Sequence, residues 1–81
     1  MRCHAYKSRA RADTYVFLAT AEGFEVLPEA LREHLGELDA VTSFELTPQR
    51  RLPRIEADRL MAALQTQGYW LQLPPSESVP A

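Results

Sequence analysis

Apolar residues in this chain occur only in short runs of at most five, and one of these, residues 15–19, has the length and composition of a strand. A helix that crosses a bilayer needs about 18 or more consecutive apolar residues, so no such helix is expected. The chain has 81 residues, which leaves room for one small domain. A TIM barrel, which needs roughly 200 residues or more, is excluded. The fold must therefore be assembled from short strands and short helices around a modest core.

Four segments have the composition and polarity of strands. The first alternates apolar Cys3 and Ala5 with more polar neighbours, which is the period of two expected of a strand. The second is the clearest, because it is rich in β-branched and aromatic residues. Gly, Pro and short polar segments separate the four and mark turns. The predicted strands are residues 2–8, 14–19, 40–46 and 69–73.

Two further segments repeat apolar residues at helical spacing. In the first, leucines recur every fourth residue between Pro28, which suits a first helical position, and Gly36, which suits a helix end. In the second, the apolar residues stand at i, i+3, i+4 and i+7, and Gly68 ends the pattern. The two apolar stripes are Leu27, Leu31 and Leu35, and Ala57, Leu60, Met61 and Leu64.

The element order is therefore β-β-α-β-α-β, which predicts an α+β fold. Two helices of a few turns cannot cover both faces of a four-stranded sheet well. We therefore expect a two-layer α/β sandwich, with both helices on one face of a mostly antiparallel or mixed sheet. Residues 1–75 are predicted to form a single domain, and residues 76–81 a disordered C-terminal tail.

Cysteine usage indicates the compartment. Cys3 is the only cysteine, so the chain cannot form an internal disulfide. Secreted domains of this size usually carry several cysteines, since their cores are too small to stabilise them alone. The N-terminus also lacks the apolar core of a signal peptide. The sequence therefore predicts a cytoplasmic protein without a membrane partner.

Charge is distributed unevenly along the chain, although the net charge is only −2. Residues 1–12 hold four basic residues and no acid, residues 13–45 hold eight acids and one arginine, and four more arginines follow. If the two basic groups converge, they form a patch that attracts phosphates. The alternative is that they pair with the acidic segment or stay solvated in loops. The candidate basic patch is Lys7, Arg9, Arg11, Arg50, Arg51 and Arg54.

Aromatic residues of the predicted strands suggest a second surface, made of Tyr6, Tyr15, Phe17 and Trp70. If both helices cover one face of the sheet, some of these rings project from the other. Exposed rings beside basic residues resemble the stacking platforms that bind single-stranded nucleic acid. The alternative is that the rings pack in the core or against neighbouring strands.

No catalytic set, metal site or cofactor site is predicted. Cys3 and His4 are adjacent, but neighbouring side chains of a strand point to opposite faces. One cysteine and two histidines without a zinc-ligand spacing do not predict a metal site. The three glycines are scattered, so none forms a phosphate-binding loop. An enzyme is therefore the least favoured class of function.

Four stretches together resemble the YcgL family of proteobacterial proteins, and the resemblance spans residues 1–75. They are residues 3–8, 15–18 and 27–31, and the closing residues 68–75, which are the most specific part. The resemblance implies a compact α/β domain of cytoplasmic type, and it implies no catalytic residues, since the family has no established activity. We therefore expect a non-catalytic protein-interaction module. The alternative is an RNA binder that uses the basic hairpin and the arginine-rich loop.

Overall fold

One open sheet carries all the strands. The computed structural model describes residues 1–52 and 54–74, so the predicted tail, residues 76–81, lies outside the described residues. The strand order is β3-β1-β2-β4, and each neighbouring pair is antiparallel. The α+β class, the element order and the antiparallel sheet are thus confirmed. The elements are β1 (Arg2–Ser8), β2 (Tyr15–Leu18), α1 (Glu29–Leu35), β3 (Leu38–Glu45), α2 (Ala57–Thr66) and β4 (Tyr69–Gln72), with an unpredicted 3₁₀ turn at Phe24–Val26.

The strand register assigns each side chain to one of two faces. Phe17 of β2 lies opposite Ala5 of β1 and Trp70 of β4, so these three side chains share a face. Val16 lies opposite Tyr6 and Leu71 in the same way, and these share the other face. Because side chains alternate along a strand, the two sets define opposite sides of the sheet.

Helix α2 packs on the first of these sides, which we call the α2 face. Leu60 of this helix is fully buried there against Cys3 of β1. Phe17 and Trp70 are half-buried against the same cluster. The fully or nearly buried members of the cluster are Cys3, Leu46, Ala57, Leu60 and Leu64.

Helix α1 packs on the other side, which we call the α1 face. Leu35 of this helix is fully buried in a cluster with strand residues Tyr6, Val16 and Leu18. The ring of Phe24, in the 3₁₀ turn, meets the ring of Tyr6 edge-on, with 5.0 Å between the centroids. The turn therefore covers the part of this face that a seven-residue helix cannot reach.

The expectation that both helices lie on one face is wrong, because the two helices belong to separate clusters on opposite faces. The physical reason lies in the central strands, which carry apolar side chains on both sides. In β2, Phe17 faces α2 while Val16 and Leu18 face α1. Each face must be covered, so one short helix and its adjoining loop are used for each.

Helix α1 begins one position later than predicted. Pro28 is its N-cap, and the Pro28 carbonyl accepts the Arg32 amide hydrogen bond at 3.0 Å. Gly36 ends the helix as predicted, with a φ of +66° that favours glycine. A Cβ atom at Gly36 would lie 3.2 Å from the Ala10 methyl group. The hairpin between β1 and β2 therefore sits directly over the end of α1.

Candidate functional site

The β1–β2 hairpin is fastened to the segment that joins α1 to β3. Arg9 donates its amide hydrogen to the Glu37 carbonyl at 2.9 Å. Its guanidinium group binds both oxygens of Asp39, at 2.9 and 3.1 Å, and a Glu37 carboxylate oxygen at 2.9 Å. The hydrogen bond to Asp39 is the main reason why the pKa of Arg9 is raised above its ordinary value. The charge of Arg9 is thus compensated within the chain.

Arg11 is held at the same corner of the molecule. Its Nε donates to the His34 carbonyl at 3.4 Å, and its Nη2 lies 3.3 Å from His34 Nδ1. His34 belongs to the last turn of α1, where the helix dipole attracts a cation. Buried Ser8 fixes the arrangement, because its hydroxyl donates to the Leu35 carbonyl at 2.6 Å and accepts the Arg11 amide hydrogen bond at 3.0 Å.

Four other arginines gather on the α2 face, around a cleft of about 860 Å³. The loop between β3 and α2 forms one wall, and the first turn of α2 and the Trp70 ring complete it. We call this site the arginine cleft. Its charged lining residues are Arg50, Arg51, Arg54, Arg59, Glu56 and Asp58.

Two contacts hold the arginine-bearing loop in place. The guanidinium carbon of Arg50 lies 4.3 Å from the centroid of the Phe44 ring, which is a cation–π contact. Arg54 donates from Nη2 to the Leu73 carbonyl, just beyond β4. Both contacts leave most of the five N–H donors of each guanidinium group free.

Among the described residues, the arginines of the cleft also have no acidic partner. Within residues 1–52 and 54–74, no carboxylate oxygen lies within 4.0 Å of a guanidinium nitrogen of Arg50, Arg51, Arg54 or Arg59. All four side chains belong to exposed residues. The cleft therefore presents positive charge and unused hydrogen-bond donors to an incoming anion.

The six residues of the candidate basic patch are not brought together. Arg9 and Arg11 lie at the corner of α1 and β3, where their guanidinium groups are occupied. Lys7 is exposed and lies on the α2 face. It pairs with Tyr15, two residues along the strands from the Ala5–Phe17 pair, and residues two apart in a strand share a face. The other three, Arg50, Arg51 and Arg54, line the arginine cleft.

Arg59 also lines the cleft, and the sequence analysis missed it. A signal was present, because Arg59 stands in the first turn of α2, on its polar side and close in sequence to the arginine-rich loop.

The four aromatic residues are divided as well. Tyr15, Phe17 and Trp70 share the α2 face, where Trp70 reaches the cleft. Tyr6 lies on the α1 face, is buried, and accepts a hydrogen bond from the Glu22 amide at 2.8 Å. Since helices cover both faces, the sheet does not form the open aromatic platform that the sequence suggested.

Cys3 and His4 lie on opposite faces of β1, and Cys3 is fully buried. Burial raises the pKa of the Cys3 thiol to about 11, although the charge of Arg50 opposes the shift. The thiol therefore stays protonated near neutral pH, which disfavours a nucleophilic role. Among the residues that the structure describes, no group of three or more His, Cys, Asp or Glu side chains is placed to hold a metal ion.

These features define a small α+β domain with an arginine-lined cleft, and no helix in its described part is long and apolar enough to span a membrane. The chain belongs to the YcgL domain family, whose model matches residues 3–75.

A YcgL domain-containing protein of Thioalkalivibrio sulfidiphilus is 39% identical over 80 residues, which cover 99% of both chains. A YcgL domain-containing protein of Xanthomonas campestris pv. campestris is 42% identical over 91% of this chain and 86% of its own length. One of Aeromonas hydrophila is 41% identical over 93% of this chain and 81% of its own length. The predicted family is thus confirmed.

Proposed function

We propose that this protein is a non-catalytic interaction module, and that the arginine cleft binds an acidic segment of a partner protein. One observation supports this above all: four exposed arginines surround the cleft, and none is within 4.0 Å of a carboxylate in the described part of the chain. Charged groups left in this state gain charge-assisted hydrogen bonds when an acidic ligand arrives. The unpaired cysteine, buried and protonated, fits a cytoplasmic protein.

The composition of the cleft favours an acidic protein segment over a nucleic acid. Glu56 and Asp58 stand among the arginines, and they would repel a continuous run of phosphates. A peptide can place its carboxylates at intervals that avoid both acids. Leu52 and Ile55 offer apolar walls for its other side chains. Arg9 and Arg11, which would extend a phosphate track, are already occupied.

Single-stranded RNA is the second candidate, and the position of Trp70 favours it. This ring lines the same cleft as the four arginines. Stacking of a base on an aromatic ring beside guanidinium groups is a common mode of single-strand recognition. RNA would then occupy the same cleft, so both candidates can be tested with the same variants.

Fluorescence anisotropy compares the two candidates. A labelled peptide of glutamate and leucine and a labelled oligouridylate are titrated with protein across a salt series. The Arg50→Gln/Arg51→Gln protein removes two charges from the cleft. The Arg9→Gln/Arg11→Gln protein removes two charges from the hairpin and is the matched control.

We expect the peptide to bind at low salt and its binding to be lost as salt rises. The cleft variant should weaken binding about tenfold or more, which corresponds to about 1.4 kcal/mol, and the control should bind nearly as the parent does.

Equal weakening in both variants would mean that the cleft has no special role. Tighter binding of the oligouridylate, with a steep salt dependence that the cleft substitutions flatten, would favour the RNA candidate. Failure of both ligands to bind at low salt would refute the proposal.

A further inference from the structure

A second groove, of about 710 Å³, lies beside α1. Phe24, Leu27 and Leu38, which belong to the cluster of the α1 face, supply its apolar floor. Four glutamates surround this floor, together with Arg32, and one of the four, Glu37, is already bound by Arg9. We call this site the acidic groove. Its glutamates are Glu25, Glu29, Glu33 and Glu37.

The acidic groove and the arginine cleft lie on opposite sides of the sheet. The groove shares residues with the α1-face cluster, and the cleft contains Trp70 of the α2 face. Within one chain, the sheet separates them, so the two sites cannot satisfy each other. Between two chains they are complementary in charge. The net charge of −2 is small, so general repulsion between copies is weak.

We propose that the partner of the arginine cleft is a second copy of this chain, whose acidic groove receives the Arg50–Arg51 loop. This proposal rests on the proposed function, because it identifies the acidic segment as the one around α1. Glu29 and Glu33 stand one helical turn apart, with about 5–6 Å between their Cβ atoms, so each raises the electrostatic energy of the other. Two neighbouring arginines of an exposed loop would neutralise this pair.

The geometry also determines the form of the assembly. A twofold dimer joins the same patch on both subunits, whereas this contact joins two different patches on opposite faces. The contact is therefore head-to-tail, and a bound pair leaves one free groove on one copy and one free cleft on the other. Unless the rotation between copies closes a ring, the assembly grows with protein concentration. Because the contact is between exposed charges, added salt should dissociate the assembly.

Sedimentation velocity at low salt, over a range of protein concentrations, tests the proposal with two neutralising variants. The cleft variant is Arg50→Gln/Arg51→Gln, and the groove variant is Glu29→Gln/Glu33→Gln. We expect the parent to form species larger than a dimer, and each variant alone to remain a monomer. An equimolar mixture should stop at a heterodimer, because it offers one intact cleft and one intact groove. The Lys7→Gln protein is the control, because Lys7 is exposed and lines neither site, and it should assemble as the parent does.

Three results would overturn the inference: a monomeric parent at every concentration, assembly that persists in the cleft variant, or a mixture that does not pair. Thermal melting of each variant shows whether it is folded. The groove variant keeps its cleft, so it should still bind the glutamate–leucine peptide. If it binds the peptide while the parent stays monomeric, self-association is refuted and the acidic-segment function stands. If the parent assembles as expected but the peptide does not bind, self-association stands and the proposed binding of acidic segments in general is refuted.

Discussion

The placement of the two helices on opposite faces can be tested with a double-mutant cycle, which measures whether substitutions in the two clusters affect stability independently. Leu35 of α1 and Leu60 of α2 are both fully buried, in separate clusters. We consider Leu35→Val, Leu60→Val and the double substitution, which remove a methylene group from one or both clusters. The central strands lie between the two sites, so neither side chain can relax into the space left by the other.

The magnitude follows from burial. Loss of one buried methylene costs about 0.8 kcal/mol of transfer free energy. A residual cavity of ~20 Å³ at ~24 cal/mol per Å³ adds about 0.5 kcal/mol. Each single substitution should therefore lower the free energy of unfolding by about 1–1.5 kcal/mol. A domain of this length has a stability of about 4–12 kcal/mol, so even the double variant should stay largely folded. Separate sites should add to within about 0.5 kcal/mol.

Urea unfolding followed by circular dichroism measures the three free energies. Val41→Ala is the control, since Val41 is 53% exposed and its truncation should change stability by less than about 0.5 kcal/mol. A coupling energy well above about 1 kcal/mol would indicate that the two leucines share one cluster. Such a result, or a Leu35→Val protein as stable as the parent, would refute the opposite-face packing.

Three further predictions concern single side chains. Ser8→Ala should lower the free energy of unfolding by about 1–3 kcal/mol in urea titration, because the buried hydroxyl bonds the Leu35 carbonyl; a neutral effect would contradict this account. Cys3 has a folded pKa of about 11 against 9.0 for the free thiol, so the unfolded state loses its proton first and stability should fall as pH rises above 9.0. A Cys3→Ala protein should lack that alkaline loss, and an identical pH profile would count against it. The N-terminal ammonium group, 2.7 Å from the Glu45 carboxylate, lowers the pKa of Glu45 by hydrogen bonding. This ion pair stabilises the folded state at pH values above the pKa of Glu45 in the unfolded chain, and the stabilisation is lost as the pH falls through the lower pKa of Glu45 in the folded chain. A Glu45→Gln protein should therefore lose less stability in acid than the parent, and equal losses would refute this assignment.

Much of the secondary structure was predictable because its causes are local. The leucine stripe ending at Gly36 and the stripe beginning at Ala57 predicted both helices, and alternation together with residue composition predicted the strands to within a few residues. The 3₁₀ turn at Phe24–Val26 was missed, since three residues carry no periodicity. The pairing of β1 with β3 shifts its register between Ala5 and Tyr6, and this shift was also missed, because it depends on two strands far apart in sequence.

The candidate site was predictable only in part. The arginine-rich loop was identified from composition, and three of its arginines line the cleft. Arg9 was assigned to the same patch because it is also an arginine in a predicted polar loop. In the structure, Asp39 and Glu37 bind its guanidinium group. Nothing in the local sequence distinguishes an occupied arginine from a free one.

By itself, the sequence determined which segments are helices and strands, the family, and the uneven supply of charge along the chain. These properties depend on residues that are neighbours in the chain. Only the tertiary structure decided which face each helix covers and which arginines have acidic partners. Coulombic and packing energies depend on distances through space, and the antiparallel pairing of β1 with β3 brings Arg9 to Asp39 across 30 positions of sequence. The same folding leaves the later arginines beyond the opposite end of β3, where their residues are exposed.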